Sequence, residues 1–489
     1  MGVSVKEESF KGVKWTSISR IVTQTTTFAI GIVLARLLSP ADYGLIAMVT
    51  VFKSISDAFV DCGFSTALVR KPDRTETDKA TVFYFNIITS LVVYVVMFVA
   101  APFIAAFYEE PILTPLTRTI CLTIPIGSIG GVATAILSYE LRFKDSAIVN
   151  VLSALISGIA GITAAYYGLA VWSLAIQGIV HTLLSTFLKI LLVKWWPSCR
   201  FSGKSFKELF NFGGKLLLSN LLHRIYSQMA PLIVGKFYTS SDLGYYTRAN
   251  GYAELPSGTF MSIIHTVMFP VLSQLQDDRK RLGEVYRKYL KMSAMVIFFI
   301  MFTLIAVAEP AVGFLVSDKW LPCVPYLRIL CFAYMFDFIC SINLSLLQVI
   351  GRSDLFLRLE ILKKTISLVM IFVSAQIGIV AMCVSSVIYT QIAIAINTYY
   401  TGKIFKFGYL EQIKDFLPYF LISLLISVFS YFLTLTINGY GLQLIVGGIM
   451  SVVLFVVFMH LRNDDMYMML MDLLKSRIAR LSKERSMKS

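Results

Sequence analysis

Apolar residues run along this chain in long blocks broken by short polar turns, from Trp15 to Leu461. Fourteen blocks can be delimited: 15–37, 43–69, 81–106, 115–138, 147–167, 170–193, 213–237, 243–272, 291–316, 324–350, 358–377, 379–401, 416–437 and 441–461. Each is long enough to cross about 30 Å of hydrocarbon as a helix rising about 1.5 Å per residue. Only Tyr166-Tyr167-Gly168 and Gln376-Ile377-Gly378 mark the turns after the fifth and eleventh blocks. No long polar linker separates any two blocks. The pattern predicts an all-α, polytopic membrane protein of about fourteen transmembrane helices.

Composition sharpens this. Of 489 residues, 57% are hydrophobic and 15% charged, against about 25% charged in soluble chains. A soluble enzyme, a secreted disulfide scaffold and a disordered protein are excluded. The formal net charge of +15 would suggest nucleic acid for a protein in water. Here basic residues gathered in cytoplasmic loops account for it, so no nucleic-acid partner is expected. With both termini in the cytoplasm, 33 of the 44 Lys and Arg fall in inner connections and tails or at inner block ends, 6 at outer block ends or turns, and the other 5 (Arg20, Lys53, Lys189, Lys215 and Arg224) elsewhere within the blocks. That asymmetry predicts the orientation and favours an even number of spans. The acidic pair Glu109-Glu110 then lies outside, and all five tryptophans fall at block ends, as interface anchors do. The polar N-terminus leads into a block too long for a signal-peptide core, so the first helix reads as retained. In the tail, Met466, Met469, Leu470, Leu473, Leu474, Ile478 and Leu481 recur at helical spacing among Lys475, Arg477, Arg480 and Lys483. This predicts a basic amphipathic helix on the lipids of the inner leaflet, or else docked on the protein itself.

Recognisable reaction chemistry is missing. The seven cysteines include no C-x-x-C pair, and neither disulfide nor metal is expected of them. His181, His223 and His265 each lack a second ligand at i+4 and read as helix-contact residues. No P-loop, G-x-S-x-G or H-E-x-x-H pattern occurs. No catalytic residue, metal or cofactor is expected.

An internal repeat is visible. L-A-R-L-L-S-P-A-D-Y-G-L from Leu34 resembles V-G-K-F-Y-T-S-S-D-L-G-Y from Val234, pairing Arg36 with Lys236, Ser39 with Thr239, Asp42 with Asp242 and Gly44 with Gly244. Asp caps the following helix, and Gly tolerates a tight turn. Upstream, Arg20-x-x-x-Gln24 recurs as Arg224-x-x-x-Gln228, shifted by about one helical turn. Two parallel six-helix halves are expected, 1–207 and 208–407, followed by two added helices in 408–461 and a cytoplasmic tail, 462–489. Parallel repeats of this kind place a substrate between the halves.

Several residues are too polar for lipid. Arg20 and Gln24 lie in the first block, Lys53, Asp57 and Asp61 in the second, Arg224 and Gln228 in the seventh, Arg248, Asn250 and Glu254 in the eighth, and Asp337 in the tenth. Charge at bilayer depth costs a few kcal/mol and faces a cavity or a partner. Lys53, Asp57 and Asp61 follow at i, i+4 and i+8 and share a helix face. Arg20, Lys53, Arg224 and Arg248 would make a cationic cavity suited to a diphosphate. Gln24, Gln228 and Asn250 would line it. Asp57, Asp61, Glu254 and Asp337 are candidates for coupling to a proton or sodium gradient, with structural ion pairing as the equal alternative.

The residues that carry a family likeness are R-L-L-S-P-A-D-Y-G-L-I-A-M-V-T-V-F (Arg36–Phe52), G-F-S-T-A-L-V-R-K (Gly63–Lys71), A-P-F-I-A-A-F-Y (Ala101–Tyr108), L-R-F-K (Leu141–Lys144), L-G-Y-Y-T-R-A-N (Leu243–Asn250) and V-M-F-P-V-L-S-Q-L-Q-D-D (Val267–Asp278). Together they resemble the polysaccharide transporter branch of the MOP flippase superfamily, the Wzx/WzxC-like lipopolysaccharide biosynthesis group. The resemblance implies an inner-membrane protein of two six-helix bundles. It implies that undecaprenyl-diphosphate-linked oligosaccharide is moved from the inner to the outer leaflet by alternating access, with a polymerase and other assembly proteins as partners. Related flippases carry arginines in the first, second and eighth spans, where this chain has Arg20, Lys53 and Arg248. Lys in the second span keeps the charge but loses the bidentate fork. Two other functions remain for comparison. A cation-coupled exporter of the same superfamily would favour an acidic or apolar cavity. A membrane glycosyltransferase or ligase would carry a large outer loop, and this chain has none.

Overall fold

The computed structural model describes residues 2–61, 63–469 and 471–472; at 2–19, 61, 212, 215, 263, 267 and 353 it describes the backbone alone. The expected amphipathic tail helix lies largely outside these residues, as do the side chains of Asp61 and Trp15.

The described residues are helical almost throughout. In chain order the helices are α1 (Gly2–Leu37), α2 (Pro40–Asp61), α3 (Phe64–Arg70), α4 (Glu76–Tyr108), α5 (Leu113–Cys121), α6 (Thr123–Ile129), α7 (Gly131–Tyr139), α8 (Phe143–Tyr166), α9 (Val171–Val193), α10 (Gly203–Phe237), α11 (Ser240–Gln274), α12 (Arg279–Ala306), α13 (Ala308–Leu315), α14 (Val324–Tyr334), α15 (Asp337–Val349), α16 (Ser353–Ala375), α17 (Ile379–Phe405), α18 (Tyr409–Leu435) and α19 (Tyr440–Leu461), with a short 3-10 turn at Asp318–Cys323. Among the described residues, nine helical segments are long and apolar enough to cross a membrane, and a tenth if Leu113–Ile129 and Gly131–Tyr139, bent by 45°, count as one broken span. Four more helices, α1, α2, α10 and α16, have the length but fall outside that set. The fourteen apolar blocks each fall on one of these helices or helix groups. Exposed Val92, Val95, Val96, Val99 and Phe103 on α4, and Leu442, Ile445, Ile449 and Val452 on α19, make apolar outer faces of the kind hydrocarbon requires. The chain is a multi-pass membrane protein.

Packing divides the chain into two compact units, Met1–Thr247 and Arg248–Ser489, so the division falls inside α11. This packing boundary differs from the boundary near 207 expected from the sequence, because α10 packs on α2, α3 and α4. In the first unit, Phe64, Leu68, Phe83, Val132 and Ile136 form a buried core around α3, α4 and α7. In the second, buried Phe298 meets Phe336, Phe338, Phe416 and Phe420 with ring centroids 5.4–5.8 Å apart. Trp320 corrects one expectation. It stands at a span end but is fully buried, so it serves packing rather than interfacial anchoring.

The two Asp-x-Gly turns have the same construction. The Asp42 carboxylate accepts from the Ser39 backbone N–H at 2.8 Å and hydroxyl at 2.6 Å, and the Asp242 carboxylate accepts from the Thr239 N–H at 3.2 Å and hydroxyl at 2.7 Å. In return Ser39 Oγ and Thr239 Oγ1 each accept from the Asp N–H at 3.2 Å. One first-turn donor of each of α2 and α11 is thus satisfied by a side chain, together with the N–H of the residue that precedes the helix start. The two turns also press against each other. A Cβ on Gly44 would sit 1.7 Å from Ser240 O, and one on Gly244 would sit 2.0 Å from Pro40 O. Only hydrogen fits at both positions, because the obstacle in each case is backbone.

Gly44→Ala and Gly244→Ala are expected to destabilise the protein by roughly 1–3 kcal/mol each, as overpacking does. Gly178→Ala, with no atom within 4 Å of the new methyl, serves as the neutral control. Thermal unfolding in detergent reads the difference; equal melting of all three variants and wild type contradicts the close crossing.

Candidate functional site

The polar residues singled out above sit on a small set of helices. Arg20 and Gln24 are exposed on α1, Lys53 and Asp57 lie on α2, and Arg224 (exposed) and Gln228 (half-buried) lie on α10. These belong to the first unit, in which α10 packs along α2. Lys53 Nζ lies 2.7 Å from Asp57 Oδ2, one turn away on the same face, and the two side chains are 25% and 43% exposed. The ammonium at mid-helix is therefore partly neutralised by its own helix. The three helices that carry these polar residues, α1, α2 and α10, are all outside the plainly apolar set.

In the second unit, Arg248, half-buried, holds its guanidinium carbon 6.0 Å from the Tyr252 ring centroid. Asn250 Oδ1 accepts from the Tyr334 hydroxyl at 3.0 Å. Glu254 is exposed one turn further along α11. Asp337 is half-buried at the start of α15, close enough to Glu254 and Lys363 to feel both charges. Lys363 itself is only 5% exposed and bonds Glu360 at 2.5 Å. Among the described residues no group of three or more His, Cys, Asp or Glu side chains could hold a metal ion. His265 is a helix-contact residue, as its lone position suggested: Nε2 shares a hydrogen with Ser341 Oγ at 2.6 Å.

Other polar constellations had no signal in the sequence. Asn343 on α15 is fully buried; its Nδ2 donates to Gln412 Oε1 at 3.0 Å, and its Oδ1 accepts from the Thr401 hydroxyl at 2.7 Å. It ties α15, α17 and α18 together across long sequence separations. Asp415 receives Arg287 and, at 3.2 Å, Lys291. In the first unit Lys71 bridges Asp78 at 3.0 Å and Glu208 at 3.1 Å. Burial pushes the Lys71 ammonium down, but the hydrogen bonds to those two carboxylates outweigh it and raise its pKa above the ordinary lysine value. Glu208, 137 positions away, is a partner that no helical period predicts.

Comparison with known proteins gives this arrangement a context. Teichuronic acid biosynthesis protein TuaB of Bacillus subtilis (strain 168) is 28% identical over 363 residues, 72% of this chain and 73% of the relative. Lipopolysaccharide biosynthesis protein WzxC of Escherichia coli (strain K12) is 23% identical over 446 residues, 89% of this chain and 90% of the relative. Among solved structures, the lipid II flippase MurJ in an inward closed conformation superposes with a TM-score of 0.75 at 16% identity, covering 92% of this chain and 99% of that one. At that identity the likeness concerns the fold, which is that of a polytopic all-α transporter. The sequence match carries further, since it covers residues 33–325, more than half the length. On that ground the chain belongs to the polysaccharide biosynthesis protein family.

Proposed function

We propose that the protein is a flippase for lipid-linked oligosaccharide. It would carry undecaprenyl-diphosphate glycan units from the inner to the outer leaflet of the bacterial inner membrane, with both termini in the cytoplasm. It is a transporter and not an enzyme. The observation that supports this reading is the presence of cations on the long helices α1, α2, α10 and α11, in a chain of this family.

Arg20, Lys53, Arg224 and Arg248 hold the diphosphate in this account. Arginine matches a phosphate with its planar fork, whereas Lys53 supplies a point charge. Gln24, Gln228 and Asn250 bond sugar hydroxyls. The ion pair between Lys53 and Asp57 gives the second helix a choice of partner. An arriving diphosphate competes with Asp57 for the ammonium, and the released carboxylate then accepts a proton or sodium ion. Asp61, Glu254 and Asp337 are the other carboxylates proposed for that coupling. The polyprenyl chain stays in lipid, and the two repeats rock about the bound headgroup. A polymerase is proposed to receive the product at the outer face. The exporter reading is weaker, because four cations at these depths suit an anionic cargo. The glycosyltransferase reading lacks any catalytic constellation to support it.

Orientation is tested by cysteine labelling from outside, in a cysteine-free background. Glu110→Cys should react in intact cells and Arg279→Cys should not; reaction of the second inverts the topology. The binding account is tested by Ala replacement of Arg20, Lys53, Arg224 and Arg248. Each should reduce delivery of lipid-linked sugar to the outer leaflet by about tenfold or more, the scale of one lost charge-assisted hydrogen bond. Lys53→Arg should retain most activity. Normal transport by all four Ala variants at normal protein levels removes these residues from the mechanism.

A further inference from the structure

Helix α9 carries titratable groups that the proposed mechanism does not use. Leu183, Phe187 and Leu191 are 47%, 61% and 55% exposed and mark its outward face. His181, Ser185 and Lys189 alternate with them, each two positions from its exposed neighbours. A two-residue step turns a helix by about 200°, so this second series looks the opposite way, toward the interior of the first unit. All three are half-buried. Thr186, beside them, is buried and donates to Ile126 O on α6 at 3.2 Å, and α9 also packs against α2 and α5. Lys189 is close enough for its charge to act on the His181 ring. Among the described residues no carboxylate comes within ion-pair distance of Lys189, in contrast to Lys53, Lys71 and Lys363.

We infer that His181, Ser185 and Lys189 form a second anion-binding ladder, which takes carboxylate groups on the sugars of an acidic glycan. The inference rests on the flippase reading and specifies its substrate class. An inward-facing lysine with no acid beside it, inside a membrane helix, calls for an anion or water as its partner. The ladder runs for about 12 Å along the helix, from its middle to its last turn. That suits a chain of sugars drawn past it rather than one compact group. Its chemistry also differs from that proposed for the diphosphate: one ammonium, one imidazole and one hydroxyl make single hydrogen bonds to a carboxylate and its neighbouring hydroxyls, whereas a diphosphate is gripped best by arginine forks.

The test uses the full chain in lipid vesicles and two lipid-linked oligosaccharides that differ in one respect. One carries a free uronic acid, and in the other the same carboxyl is a methyl ester. Lys189→Gln should slow transport of the acidic glycan about fivefold or more, as expected for a lost charge-assisted bond, and change the ester less than about twofold. Lys189→Arg should restore the acidic substrate, and Ser185→Ala, a milder change, should show the same selectivity with smaller amplitude. Equal loss on both substrates assigns Lys189 to the diphosphate or to packing and overturns the inference. Unchanged transport of the acidic glycan means that the lysine merely reaches the inner headgroups, which overturns it as well. If wild type moves neither substrate, the flippase reading itself fails and the ladder falls with it; Lys189 variants are not needed to see that outcome.

Discussion

Hydrocarbon offers no hydrogen bonds, and every feature of this protein answers to that constraint. Backbone groups must be satisfied within each segment, which leaves helices as the economical choice. Helix ends need partners as well. Asp42 and Asp242 supply them through reciprocal bonds with Ser39 and Thr239. Side chains obey the same accounting. Polar groups along the spans are bonded across helices, as Asn343 is to Gln412 and Thr401, or are turned away from the lipid-facing side, as Lys189 is. Arg20, Lys53, Arg224 and Arg248 lie on α1, α2, α10 and α11, and charge on such helices has an energetic cost.

The repeated turns show how a local sequence device acquires a tertiary role. In each copy the Asp stabilises its own helix start, which is a matter of four residues. The Gly two positions later has a different purpose. It removes a Cβ that would strike the backbone of the other copy, Ser240 O in one case and Pro40 O in the other. The contact is reciprocal: each glycine meets the backbone of the other turn. This close crossing, with α10 packed along α2, explains why the compact unit extends to Thr247 and takes in α10.

Ion pairs divide the charges into two kinds. Lys71 and Asp415 have partners on other segments, Glu208 at 3.1 Å and Lys291 at 3.2 Å, that belong to the architecture. Removing one member of such a pair leaves a desolvated charge, so these positions are constrained by folding. Lys53 is paired too, but with an exposed carboxylate on its own helix. Such i,i+4 pairs are worth only a few tenths of a kcal/mol.

The sequence by itself determined the helical class, the positions of the fourteen apolar blocks, the paired Asp-x-Gly turns and the membership of Arg20, Lys53, Arg224 and Arg248 in the polar minority. All of these are written in local periodicity or in residues that hydrocarbon penalises, and both can be read within one or two helical turns. Tertiary structure alone decided that Gly44 and Gly244 touch the opposite turn, that Trp320 is buried, that Asn343 joins three helices and that Lys71 reaches Glu208. Each of these depends on which helices become neighbours. Neighbour choice comes from steric fit and hydrogen-bond pairing between segments tens to hundreds of residues apart, and an apolar helix face carries almost no record of which other apolar face it will meet.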